Sequence, residues 1–326
     1  MEILVKDKKK DISFYNRIMM KSIYIYFSFF IIAGCGESNS KATSTPTSGE
    51  VHITADESVK PLIDAEINSF VSIYKNAKVT VSYKPESEAF SDLLNDSSKM
   101  IFVYRELNPS EKKQFEEIQY FPKTIKIAED AIALIINKKN QDSVLTKIQL
   151  REILTGKITD WNQINPKSKS NKIEFVFDNK NSSSVRFLID SVSQTSKLPE
   201  NCFALNSNPE VIQYVKNNAS AIGVIGLNWI SDSDDSTSVN FRNDIAVVAL
   251  DAKNDFYKPY QAYIKLGYYP LTRKLVAINR EGRAGLATGF SSFVAGDKGQ
   301  RIILKSGLVP STMPVRLVEL KENSNL

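Results

Sequence analysis

One histidine and two cysteines are all that 326 residues provide of the two residue types most used in metal and nucleophile chemistry. With His52 alone, a histidine-based triad or a His-rich metal site is excluded, and no Gly-x-Ser-x-Gly elbow offers another nucleophile. An enzyme is therefore not expected, and neither is a cofactor or a metal. Cys35 lies at the end of the N-terminal apolar stretch, which leaves Cys202 without a partner for an intramolecular disulfide. That apolar stretch, Ser22 to Gly34, runs for about 13 residues, short of the roughly 20 a membrane helix needs. Net charge is also small. Of 42 basic and 37 acidic residues, six and three fall in the first 34, leaving a near-neutral +2. This balance carries no nucleic-acid footprint.

What is present begins with an export signal. Met19-Met20-Lys21 precedes the apolar run, so residues 1–34 read as a signal peptide whose translation starts at Met19 or Met20. Ile32-Ala33-Gly34-Cys35 resembles a bacterial lipobox, which implies a lipid on Cys35. Residues 35–49 are rich in Ser, Thr, Asn and Pro, a composition that cannot bury a core and behaves as a tether. The expected location is the cell envelope, lipid-anchored to a bacterial membrane and facing the periplasm or the outside.

From residue 50 strands and helices alternate. Glu50–Ala55, Val79–Tyr83 and Met100–Tyr104 read as strands. Val59–Tyr74, Ala89–Leu94 and Ser110–Ile118 read as helices between and after them. Ile125–Ile136 is long for one strand and suits a strand crossing between two lobes. A helix at Thr146–Leu154 with Thr146 as cap, a strand at Lys172–Phe177 and helices at Ser182–Val192 and Pro209–Asn217 follow. Strands are expected at Ala221–Gly226, Ile245–Leu250 and Leu275–Asn279. Ser231–Ser238 reads as a loop, Leu286–Val294 and Lys298–Lys305 as closing helices, and Leu317–Asn325 as a solvated end. This repetition predicts an α/β fold with mainly parallel sheets covered by helices.

Four segments carry a resemblance. Ile53-Thr-Ala-Asp-Glu-Ser58-Val-Lys-Pro61-Leu62 is a strand, a loop and a helix start, where unpaired amides favour an anion. Lys84-Pro-Glu-Ser87-Glu follows the second strand. Tyr104-Arg105-Glu106-Leu107 follows the third, and arginine presents a rigid fork of donors to tetrahedral oxyanions. Asp178-Asn-Lys-Asn181-Ser182-Ser183-Ser184-Val-Arg186 opens a helix with hydroxyls. Together with Trp161 and its preceding helix, Tyr269-Pro-Leu271, and Gly307-Leu-Val-Pro310, these segments resemble the phosphate-binding proteins of bacterial ABC importers over residues 50–320.

That resemblance implies a two-lobed type II periplasmic binding fold, with a mixed, mainly parallel sheet in each lobe. Lobe one would comprise 50–127 and 276–320, and lobe two 128–275. The implied ligand residues are Ser58, Val59, Ser87, Arg105, Asp178, Ser182, Ser183, Ser184 and Arg186. The implied partners are phosphate or a similar oxyanion and an ABC permease, and the protein should be a monomer. The chain departs from the family pattern in its loops. Ala55, Asp56 and Glu57 replace a Gly-Ser-Ser stretch, Glu86 and Glu88 replace small residues, and Asp178 stands where relatives carry an arginine that Arg186 is placed to replace.

The residues admit other roles. Asp56 and Glu57, or Ser182 to Ser184, read equally as helix caps. Arg105 reads as an ion pair with Glu106 or Glu111, and Glu86 and Glu88 as a solvated loop. Five carboxylates would repel a dianion, at about 4 kcal/mol for each unit pair 4 Å apart in an effective dielectric near 20. An alternative is therefore a two-lobed interaction or structural lipoprotein that has lost anion binding.

Overall fold

The computed structural model describes residues 44–195 and 197–315. The expected signal, Cys35, most of the tether and the solvated end at 317–325 lie outside the described residues. Strand β1 (Gly49–Asp56) turns Val51, Ile53 and Ala55 into the core. It pairs in parallel with β2 (Ala77–Lys84) on one side and β3 (Met100–Val103) on the other. Successive side chains in a strand point to opposite faces. Met100 and Phe102 therefore join the main core, while Ile101 and Val103 join a second cluster with Phe90, Leu93 and Phe115. The helices Glu86–Leu94 and Pro109–Glu117 supply that second layer.

The organising element is β4 (Lys123–Asn137). From Ile127 to Ile136 all its residues but Glu129 are buried, the mark of a strand covered on both faces. After β4 come β5 (Val144–Leu145), β6 (Glu174–Phe177), β7 (Cys202–Ala204), β8 (Ala221–Gly226), β9 (Ile245–Val247), β10 (Ala249–Ala252), β11 (Asp255–Tyr257), β12 (Thr272–Asn279) and β13 (Val309–Pro310). The main sheet runs β2-β1-β3-β12-β4-β8-β6-β7, with β9 and β13 also pairing to β4. The first part of β4 pairs with β12 as far as Ala131, and its last part with β8 from Ile132 to Ile136. One strand thus serves two half-sheets, and the lobes meet where its partner changes.

Local signals set the element ends. Thr146 and Gln149 form a capping box on the helix Lys147–Leu154, and Gly156 leaves it with φ +76°, a conformation glycine takes without steric penalty. Two expectations need correction. Ser231–Ser238 is loop only at 232–235, since Ser231 ends the helix Asn228–Ser231 and Ser236 begins the helix Ser236–Asp244, which Asp235 caps through the Ser238 amide. Ile245–Leu250 is two strands, because the chain leaves β4 at Val248 and joins β5 through β10.

Glu66 on the helix Lys60–Ile73 is fully buried, and neither carboxylate oxygen has a hydrogen-bond partner among the described residues. Burial pushes its pKa from 4.5 to about 9. Between those values the folded protein keeps a proton that the unfolded chain has lost. The contribution of Glu66 to stability is then greatest in acid and falls as pH rises through that window, by up to about 1.4 kcal/mol per pH unit. Urea unfolding at pH 5, 7 and 8.5 should show this decline, and Glu66→Gln should flatten it and stabilise the protein at pH 8.5. An unchanged slope in the variant would mean that Glu66 is ionised in the fold.

Candidate functional site

β1 ends at Asp56, and the chain turns through Glu57–Val59 into the helix Lys60–Ile73, with Pro61 in its first turn. In the other lobe, β6 ends at Phe177 and the chain passes Asp178 into the helix Ser183–Leu188, capped by the Ser182 side chain. The carboxyl ends of strands from both lobes thus face a common seam, where α/β sheets commonly place ligands. Arg273 of β12 and Asp130 of β4 enter that seam as direct cross-strand neighbours.

Arg273 is 5% exposed, and its guanidinium donates four hydrogen bonds. Nε donates to Asp130 Oδ2 at 3.0 Å, and Nη2 lies 2.9 Å from the same oxygen as an ion pair. Nη1 donates to Ser183 Oγ at 2.8 Å and Ser184 Oγ at 3.2 Å, and Nη2 to Ser58 Oγ at 2.9 Å. Its guanidinium stacks on Tyr104 with 3.5 Å to the ring centroid. A hydroxyl that accepts from arginine keeps its own proton to donate. Ser58 spends that proton on Asp56 Oδ1, which also accepts the Ser58 amide at 3.0 Å. Asp56 Oδ2 reaches across the seam to the Ser183 amide at 3.4 Å.

Further contacts close the lobes on one another. Asn208 donates to Glu57 from its backbone and its side chain. Asn228 Nδ2 donates to the Ser58 carbonyl at 2.7 Å. Gly226 lies so close to that carbonyl that a Cβ would collide with it. Arg186 Nε donates to Glu86 Oε2 at 2.6 Å, while Glu86 Oε1 accepts the Tyr104 amide at 2.7 Å. The acids beside the seam are held toward neutrality. Burial, then Asp178, raises Glu57 to about 7. Burial, then Asp56, raises Asp178 to about 6.

The fold gathers Ser58, Val59, Asp178, Ser182, Ser183 and Ser184 at the seam, all of them buried. Arg186 stands beside them, engaged by Glu86 and at 3.6 Å by Asp190. Two residues are not brought in. Ser87 is exposed on the first turn of its helix. Arg105 forms a bidentate pair with Glu111 at 2.7 and 2.8 Å and stacks on Phe90. Glu88 is exposed, but Glu86, read as solvated, is 2% exposed because it bridges the lobes. Arg273, Asp130, Asn208 and Asn228 were not anticipated. The available signal was parity: Arg273 lies between Leu271 and Leu275 at an inward position, and Asp130 interrupts an apolar run.

A single sheet shared by two lobes, with a buried polar centre in the seam, defines a two-lobed binding protein. The profile of a PBP superfamily domain matches residues 40–298, and the chain belongs to that superfamily; its homologues form a non-enzymatic family. The phosphate-binding protein PstS of Staphylococcus saprophyticus is 26% identical over 83% of this chain and 83% of its own length. PstS of Borreliella burgdorferi is 25% identical over 79% of this chain and 89% of its own length. Among solved structures, a phosphate ABC transporter substrate-binding protein of Clostridium perfringens, with bound phosphate, superposes with a TM-score of 0.68 at 23% identity. It covers 80% of this chain and 99% of its own. An ABC-type phosphate transport receptor of Vibrio cholerae gives 0.60 at 21% identity, covering 80% and 100%.

Removing one member of a buried ion pair strands the other, at a cost of about 3–5 kcal/mol. Arg273→Leu should therefore lower the unfolding free energy by about that much, and the double variant Arg273→Leu, Asp130→Leu should recover most of it. Urea denaturation of the two variants reads this directly. A double variant as unstable as the single one would show that the pair is not what was lost.

Proposed function

We propose that the chain is an extracytoplasmic solute-binding lipoprotein, held by a lipid on Cys35, that takes phosphate or a related tetrahedral oxyanion between its lobes and delivers it to an ABC permease. The observation that carries this reading is the orientation Arg273 imposes on serines from both lobes. By donating to Ser58, Ser183 and Ser184, it fixes their oxygens as acceptors, which leaves the Ser183 and Ser184 protons to donate to a ligand while that of Ser58 goes to Asp56. A buried cation ringed by outward donors, with backbone amides of Ser58 and Ser183 beside it, is suited to an anion with several oxygens. Asp178 Oδ1, buried and without a hydrogen-bond partner among the described residues, is suited to accept a ligand proton. The names of the relatives support phosphate, and the apolar run before Cys35 supports export and anchoring.

One feature favours a second reading. Asp56 already accepts from Ser58 and Ser183, as it would in a two-lobed interaction lipoprotein that has lost anion binding. Isothermal titration with phosphate and with sulfate separates the two. Phosphate should bind. Replacing Ser183 and Ser184 together by alanine should weaken it by about 10- to 100-fold, the range for a lost hydrogen bond to a charged group. No heat with either anion would end the receptor reading.

A further inference from the structure

The carboxylate of Asp56 differs from an ordinary helix cap in three ways. A cap binds amides of its own helix, whereas Asp56 also receives the Ser183 amide from the opposite lobe at 3.4 Å. A cap is normally solvated, whereas Asp56 has no exposed surface. A buried carboxylate is normally paired with a cation, whereas among the described residues no Lys or Arg nitrogen lies within 4.0 Å of Asp56. Arg273 neutralises Asp130 instead. Asp56 is thus a buried carboxylate held by neutral donors from both lobes, next to Ser183 and Ser184, whose hydroxyl protons have no acceptor among the described residues. The seam also contains Asp178 Oδ1, a buried acceptor with no partner among the described residues, so the polar groups around Asp56 are only partly matched by a planar carboxylate. A tetrahedral anion that carries a proton would supply more acceptors and a donor.

We propose that Asp56 is a tethered surrogate for the solute: its carboxylate latches the lobes together when no solute is bound, and an oxyanion binds by displacing it. The competition between latch and solute rests on the receptor reading above, whereas the latch itself does not. A binding site whose competent form is only fractionally populated shows an apparent affinity reduced by that fraction. Asp56 would therefore set the concentration of solute to which the protein responds. Its neighbours bear on the same balance. Glu57 from its own turn and Asp178 from the other lobe are acids facing it, and Arg273 is the facing cation.

The test uses Asp56→Asn, which keeps an acceptor for the Ser58 amide, so the helix start survives while the charge is lost. Small-angle scattering without ligand should show the wild type compact and the variant expanded, and formate or acetate should close Asp56→Ala again. In titration, phosphate should bind Asp56→Asn at least about tenfold more tightly than wild type, because the internal competitor is gone. Equal radii and equal phosphate affinities would overturn the latch and leave the receptor reading standing. An expanded variant that formate closes, with no phosphate binding in either protein, would uphold the latch and end the receptor reading. A variant that neither opens nor binds phosphate would overturn both.

Discussion

A guanidinium withdrawn from water must place its N–H groups on acceptors, and Arg273 places four where the two lobes share a sheet, with Asp130 as its counter-ion. Much of the seam follows from that requirement. Asp130 supplies the charge, and because the two residues face each other across the β4–β12 ladder, the pair is fixed by strand register alone. A slip of one residue would turn Arg273 to the other face of the sheet and leave Asp130 buried without its partner. The remaining acceptors cannot come from those strands. They come from Ser58 in one lobe and from Ser183 and Ser184 in the other, so satisfying one side chain requires both lobes to be present and close together.

The acidic character of the loops is less of an obstacle to an anion than five free carboxylates would be. Glu88 points to solvent. Glu86 is neutralised by Arg186 and bonded to the Tyr104 amide. Glu57 and Asp178 are held near 7 and 6 by burial and by neighbouring acids, so each spends part of its time protonated near neutral pH. Asp56 remains, close to the donors. Charge crowding is therefore resolved by pairing and protonation inside the seam, and only for Glu88 by exposure.

Most of the architecture was legible because the apolar pattern has the right period. β1, β4 and β8 and the helices Lys60–Ile73 and Lys147–Leu154 lie within two or three residues of where alternation, helical spacing and caps put them. The helix Ser236–Asp244 was missed because its polar sequence, Ser-Thr-Ser-Val-Asn-Phe-Arg-Asn-Asp, reads as loop by composition, while Asp235 and its packing hold it as helix. The serines of the site were legible from loop-to-helix junctions. Arg105 was misleading, because being at a strand end does not decide which way an arginine points, and Glu111 in the next helix captured it. Arg273 and Asp130 were the harder case. Each looks unremarkable in its own segment, and their meaning appears only when the two strands are laid side by side.

The same donors explain why an anion and closure belong together. With the lobes closed, the Ser58 and Ser183 amides and the Ser58 hydroxyl are out of contact with water, and each buried donor left without an acceptor would cost about 1–3 kcal/mol. A closed seam holding no anion would lose several such bonds at once, a sum comparable with the whole stability of a domain. Closed lobes therefore require an acceptor at that point. With the lobes apart, water satisfies the same groups and the requirement vanishes. In the closed form described here, Asp56 is the group that meets it, and an oxyanion entering the seam would have to satisfy the same donors better than a carboxylate attached to the strand beside them.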